Sequence, residues 1–106
     1  MRTVHDRVLQ EFRRRLLDIY GDRLVRTVLF GSQARGDASS GSDVDVLVVL
    51  RGPVRPGEEI ERTGPATSAL SLEYDIVLSC TFTSEESFSS VRTPLLVNVR
   101  QEGVTF

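Results

Sequence analysis

Phe30-Gly-Ser-Gln-Ala-Arg-Gly-Asp-Ala-Ser-Ser-Gly-Ser-Asp-Val-Asp-Val-Leu-Val-Val49 decides the fold. Leu24 to Phe30 reads as a short strand that ends at Gly31-Ser32. The stretch from Gly36 to Ser42 has the composition of a loop, and Asp43 to Leu50 is β-branched and apolar on both faces after its first three residues, a buried strand. Gly31-Ser32 sits where a strand passes into a short helix starting near Gln33. Glycine lets a ligand approach the backbone, and a helix start offers unpaired N–H donors. With the Ser32 hydroxyl and the charge of Arg35, this makes a phosphate seat.

Asp43 and Asp45 are two residues apart on a strand, so both carboxylates project from one face, about 7 Å apart at the backbone. Paired carboxylates suit hard cations, which bind carboxylates and substrate phosphates jointly, and two such ions can steady the attacking and leaving oxygens of phosphoryl-type transfer. Asp75 interrupts the apolar run Glu73 to Leu78, and burial there needs a partner. A metal shared with Asp43 and Asp45 would supply one.

Sharing a site constrains the topology. The phosphate seat ends the first strand and the aspartate pair starts the second, so those two should be antiparallel. A third strand over Glu73–Ser79, with Asp75 near its start, should run parallel to the second through a helical crossover. The expectation is an α/β (α+β) chain with a mixed sheet of three to four strands and flanking helices.

Outward from this centre, apolar residues from Val4 to Tyr20 recur at helical spacing, with Thr3 as N-cap, Asp6 in capping-box position and Gly21 as the stop. Arg13 to Arg15 lie on the polar side. A crossover helix spans about Glu58 to Ser71, which Gly64-Pro65 should kink or split. Thr93-Pro94 gives an N-cap and a proline at N1 for a helix that stops at Gly103, before a short edge strand over Val104–Phe106. Leu95, Leu96, Val97 and Val99 make that helix either fully buried or one that lends a patch to a partner.

The 106 residues, with no repeat or linker, are expected to form one domain (1–106) with a single core. Thirteen basic residues against fifteen acidic leave a net charge of −2, against a general nucleic-acid binder. All the basic residues are arginine, so any chemistry here proceeds without an amine. One cysteine excludes an internal disulfide framework and suits a reducing cytoplasm, and no apolar run is long enough to cross a bilayer. His5 reads as a surface residue, Cys80 as a small buried hydrophobe, Glu85 and Glu86 as first-turn acids, and Glu73 as a solvated strand entry.

A Gly-Ser pair alone is usually a turn, and Asp-x-Asp alone is usually a strand entry. Joined at a spacing of ten residues, the four arise by chance on the order of once per thousand chains of this length. With that spacing and a later aspartate, the chain resembles the nucleotidyltransferase superfamily with a polymerase β-like palm. Its size is similar to the minimal nucleotidyltransferases, antitoxin partners of HEPN-domain RNase toxins, and the Thr93-Pro94-Leu95-Leu96 helix and the Glu102-Gly103 ending fit them too. The resemblance implies ATP as substrate, its phosphates at Gly31 and Ser32 with Arg35 and Ser42 beside them. It also implies two Mg²⁺ ions on Asp43 and Asp45, with Asp75 completing the metal site and assisting deprotonation. AMP would pass to a hydroxyl, typically a tyrosine of the HEPN toxin. The competing expectation is an antitoxin that neutralises its toxin by binding and occlusion.

Overall fold

A computed structural model describes residues 6–31 and 43–106. Helix α1, Asp6–Tyr20, buries Val8, Leu9, Phe12, Leu16 and Tyr20, the stripe that its sequence spacing predicts. Thr3 and His5 lie outside the described residues. A single 3₁₀ turn, Gly21–Arg23, leads into β1, Leu24–Phe30, and β2 follows at Val44–Leu50. Helix α2, Pro56–Tyr74, crosses over to β3, Leu78–Ser84. Two shorter helices, α3 at Glu85–Ser90 and α4 at Pro94–Glu102, precede the two-residue strand β4, Val104–Thr105.

The strands form one mixed sheet in the order β3-β2-β1-β4. β1 is antiparallel to β2 and β4, and β2 is parallel to β3, as the shared-site argument requires. β2 is the spine. Val44, Val46, Val48 and Leu50 face α1 and α2, where they pack with Phe12, Leu16 and Leu70. Leu47 and Val49 face the other way, against Leu96 and Val99 of α4 and Val28 of β1. Both faces are therefore covered, which explains an unbroken apolar strand. The α4 helix thus gives Leu96 and Val99 to the core and leaves Leu95 exposed.

Two expectations are corrected. Pro65 does not split the crossover helix, which runs unbroken for 19 residues with proline inside it. The ring lies on the exposed side, where the carbonyl left unpaired one turn earlier meets water. The third strand starts five residues later than the predicted Glu73, because α2 continues through Tyr74. Its buried face is Glu59, Thr63, Ala66 and Leu70. Two of those four are polar, so the helical period is hidden from a hydrophobicity reading. Glu59, only 2% exposed, is held by the Tyr20 hydroxyl at 2.8 Å and an Arg62 guanidinium at 3.0 Å, and it ties α2 to α1. The expected Thr93 cap is present, its Oγ1 accepting from Leu96 N–H at 3.3 Å, and Ser84 caps α3 in the same way, its Oγ accepting from Ser87 N–H at 3.1 Å.

Candidate active site

Antiparallel pairing places Phe30, the last residue of β1, directly opposite Asp45 of β2. Gly31 follows with φ +76°, a conformation that L side chains rarely adopt. A Cβ built there would lie 2.7 Å from Asp45 Oδ2. The Asp45 carboxylate therefore rests across the bare Cα of Gly31, and the glycine is needed for both its backbone angle and its missing side chain. Asp43 stands exposed just before β2, and strand alternation puts it on the face of Asp45, opposite Val44 and Val46.

Burial raises the Asp45 carboxyl above the usual carboxylate range, and the neighbouring Asp43 charge raises it further. A cation between the two would reverse both effects. The donors are carboxylate oxygens, beside a backbone bend that a phosphate can approach, so the residues fit a magnesium-type ion shared with a phosphate. Ser32, Arg35 and Ser42 lie outside the described residues.

Asp75 is not where its reading as the third carboxylate puts it. It caps the C-terminus of α2 in the left-handed conformation, φ 54° and ψ 50°, exposed and before β3 begins. Among the described residues, no three acidic, histidine or cysteine side chains converge on a metal position. Glu73 lies in the last turn of α2 and is likewise off the strand. The β3 residue paired with Asp45 is Ser79, with Thr81 paired to Leu47. Ladder partners share a face, so Ser79 sets a hydroxyl beside Asp45. Sequence reasoning missed Ser79 because the strand boundary was set too early.

Cys80 sits in β3 on the opposite face, its thiol pushed up to about 12 by burial, which makes it inert as a nucleophile. A cavity of about 770 Å³, lined in part by Pro53, Val54, Phe82 and Glu86, opens at the far ends of β2 and β3, away from the aspartates. No helix among the described residues is long and apolar enough to cross a membrane.

Residues 9–103 match the model of the nucleotidyltransferase domain. A protein of Methanocaldococcus jannaschii named "Putative protein adenylyltransferase MJ0604" is 32% identical over 92% of this chain and 93% of its own. Another from that organism, "Putative protein adenylyltransferase MJ0141", is 39% identical over 68% of this chain and 72% of its own. Among solved structures, one described as "a putative nucleotidyltransferase from Sulfolobus solfataricus" superposes with a TM-score of 0.66 at 18% identity, covering 94% of this chain and 77% of that one. A toxin–antitoxin with AMP-PNP superposes at 0.64 and 23% identity, covering 91% and 70%. These two likenesses concern the fold, whereas the domain match spans nearly the whole chain: the protein belongs to the nucleotidyltransferase domain family.

Proposed function

We propose that this chain is an antitoxin-type protein adenylyltransferase that transfers AMP from ATP to a hydroxyl, a tyrosine, of a cognate HEPN RNase toxin. The observation that carries this is the Asp45 carboxylate lying across Gly31 Cα with Asp43 on the same face. Relatives bearing the adenylyltransferase name, and a fold neighbour that is a toxin–antitoxin with AMP-PNP, support it.

In this reading the ATP phosphates are bound by Gly31 and Ser32, with Arg35 and Ser42 contributing from the sequence that follows. Asp43 and Asp45 would hold Mg²⁺, whose charge would offset the negative charge of the phosphates. The acceptor oxygen forms a bond to the α-phosphorus as the bond to the β-phosphate oxygen breaks, and pyrophosphate leaves. The hydroxyl proton is lost to solvent, Asp75 being an exposed cap at the end of α2 and not a strand residue. The partner is a HEPN toxin, and the protein acts in the cytoplasm.

Incubation with ATP labelled at the α-phosphate, Mg²⁺ and the acceptor tests this. Protein-bound label is expected from the α position alone, with none from a γ-label. Asp45→Asn should reduce it by about 10²- to 10³-fold, the cost of removing one electrostatic stabiliser. A wild-type protein that labels nothing refutes it. The place of Asp75 as a helix cap, with no three candidate metal ligands grouped among the described residues, favours a second reading, neutralisation by binding and occlusion, under which Asp45→Asn neutralises as well as wild type.

A further inference from the structure

β3 is an edge strand whose second side no described residue pairs. It matches β2 one-to-one over seven residues without a bulge, and its sequence, Leu78-Ser-Cys-Thr-Phe-Thr-Ser84, contains no charge and no proline. Natural sheets usually guard such an edge with charges, proline or bulges. Here the guards are missing along the strand beside the aspartate pair.

The hydrogen-bond phase shows which groups are open. Val44 N–H donates to Val77 C=O at 2.8 Å, so Val77, Ser79, Thr81 and Thr83 bond towards β2, and Leu78, Cys80 and Phe82 point outwards. The Leu78 N–H donates to Ser71 Oγ at 3.2 Å. That leaves the main-chain N–H and C=O of Cys80 and Phe82 facing away from the sheet. At the site end, Val77 is 54% exposed next to Asp43, and Leu72, in the last turn of α2, is 87% exposed. Apolar surface thus lies beside the unpaired backbone, at the aspartate end of the strand.

Resting on the adenylyl-transfer reading, we propose that the free edge of β3 docks the acceptor. An extended, uncharged segment adds as a further strand and reaches a tyrosine hydroxyl across Ser79 to Asp45. Strands pair about 4.8 Å apart, so the added backbone lies about 10 Å from β2. A serine or threonine hydroxyl, one bond beyond Cβ, falls short of that span. A tyrosine hydroxyl, a ring length further out, bridges it where the intervening side chain is small, and Ser79 is small. The edge therefore selects both backbone shape and acceptor residue, by strand addition.

The test uses a capped heptapeptide of alternating threonine and valine around a central tyrosine. A serine-centred copy and a copy with alternate amides N-methylated accompany it. Protein variants are Cys80→Pro, which removes an outward N–H while keeping every bond to β2, and Thr81→Lys, an exposed charge on the same strand. The readouts are peptide binding, α-label transfer and affinity for a fluorescent ATP analogue. The tyrosine peptide should be labelled at least tenfold faster than the serine or methylated copies. Both variants should raise the peptide KM at least tenfold with nucleotide affinity unchanged. Thr81→Lys alone decides the matter if Cys80→Pro does not fold. Equal labelling of serine and tyrosine peptides, wild-type KM in a folded variant, or a concentration-dependent dimer of the chain that Cys80→Pro dissolves each overturns the proposal. If wild-type protein binds the peptide but transfers no label even to its native acceptor, the adenylyl-transfer reading fails. Binding lost in the variants then still upholds the strand-addition surface, and binding retained in them overturns it.

Discussion

Gly31→Ala separates the two demands that the site makes on one residue. An L side chain in the left-handed region costs about 1–2 kcal/mol. With a domain of this size losing about 4–8 °C of Tm per kcal/mol, a fall of roughly 4–16 °C is expected. The new Cβ also meets Asp45 Oδ2 at 2.7 Å. That oxygen ends a flexible side chain, so the carboxylate swings aside at little extra cost in stability. Catalysis is less forgiving, because a displacement of about 1 Å at a reacting centre costs on the order of a hundredfold in rate. Gly21 provides the control: its φ is +55°, and a Cβ there meets nothing within 4 Å. Gly21→Ala should therefore lose comparable stability and keep activity. Thermal melts of both variants, followed by α-label transfer at a temperature where each is folded, make the comparison. A Gly31→Ala protein that transfers at the wild-type rate, or a Gly21→Ala protein that loses as much, refutes the claim that the Asp45 carboxylate works from above Gly31.

Three further outcomes follow from the packing. Tyr20→Phe removes a hydroxyl from the buried Glu59 carboxylate and should cost about 1–3 kcal/mol, read as a lower urea midpoint at unchanged m-value. Pro65→Ala restores a helical N–H at an exposed position inside α2 and should raise Tm, the gain limited to about 1–2 kcal/mol by the freer unfolded chain. Asp45→Asn should raise Tm at pH 7 in the presence of a chelator. The Asp45 carboxyl titrates above its usual range in the folded state, so the stability linked to its neutral form is present at low pH and lost as pH rises through the folded value. Asparagine keeps that stability at every pH, so the Tm advantage should vanish below about pH 3, where the carboxyl is protonated in both states. An unchanged advantage at low pH would point to packing instead of charge.

The sheet was legible wherever apolar pattern and turn chemistry agreed. β1 is apolar at both ends around Arg26 and Thr27, β2 is continuously apolar from Val46 to Leu50, and Thr93-Pro94 marks a helix start by two independent signals. Where burial is polar, the pattern failed. Glu59 and Thr63 occupy the core-facing stripe of α2, stabilised by Tyr20 and by the helix's own carbonyls, so the helix looked shorter and more fragile than it is. That error carried forward: with α2 ended early, Glu73 to Ser79 passed for a strand and Asp75 for its inward-facing acid.

The correction changes what the catalytic reading must explain. Asp75 adopts a left-handed cap, a conformation that aspartate tolerates better than most residues because its short polar side chain can bond locally. Its interruption of an apolar run is therefore accounted for by chain reversal, without a metal. Ser79 takes the ladder position beside Asp45, and a hydroxyl there neither adds negative charge to the pair nor accepts a proton as a carboxylate would. Under the adenylyl-transfer proposal the described residues then supply two carboxylates, and the acceptor has to bring a hydroxyl acidic enough to lose its proton to water. A phenol meets that condition far better than an aliphatic alcohol. In that proposal the small Ser79 also opens the span from the β3 edge to Asp45, so a preference for tyrosine would rest on acidity and on reach independently.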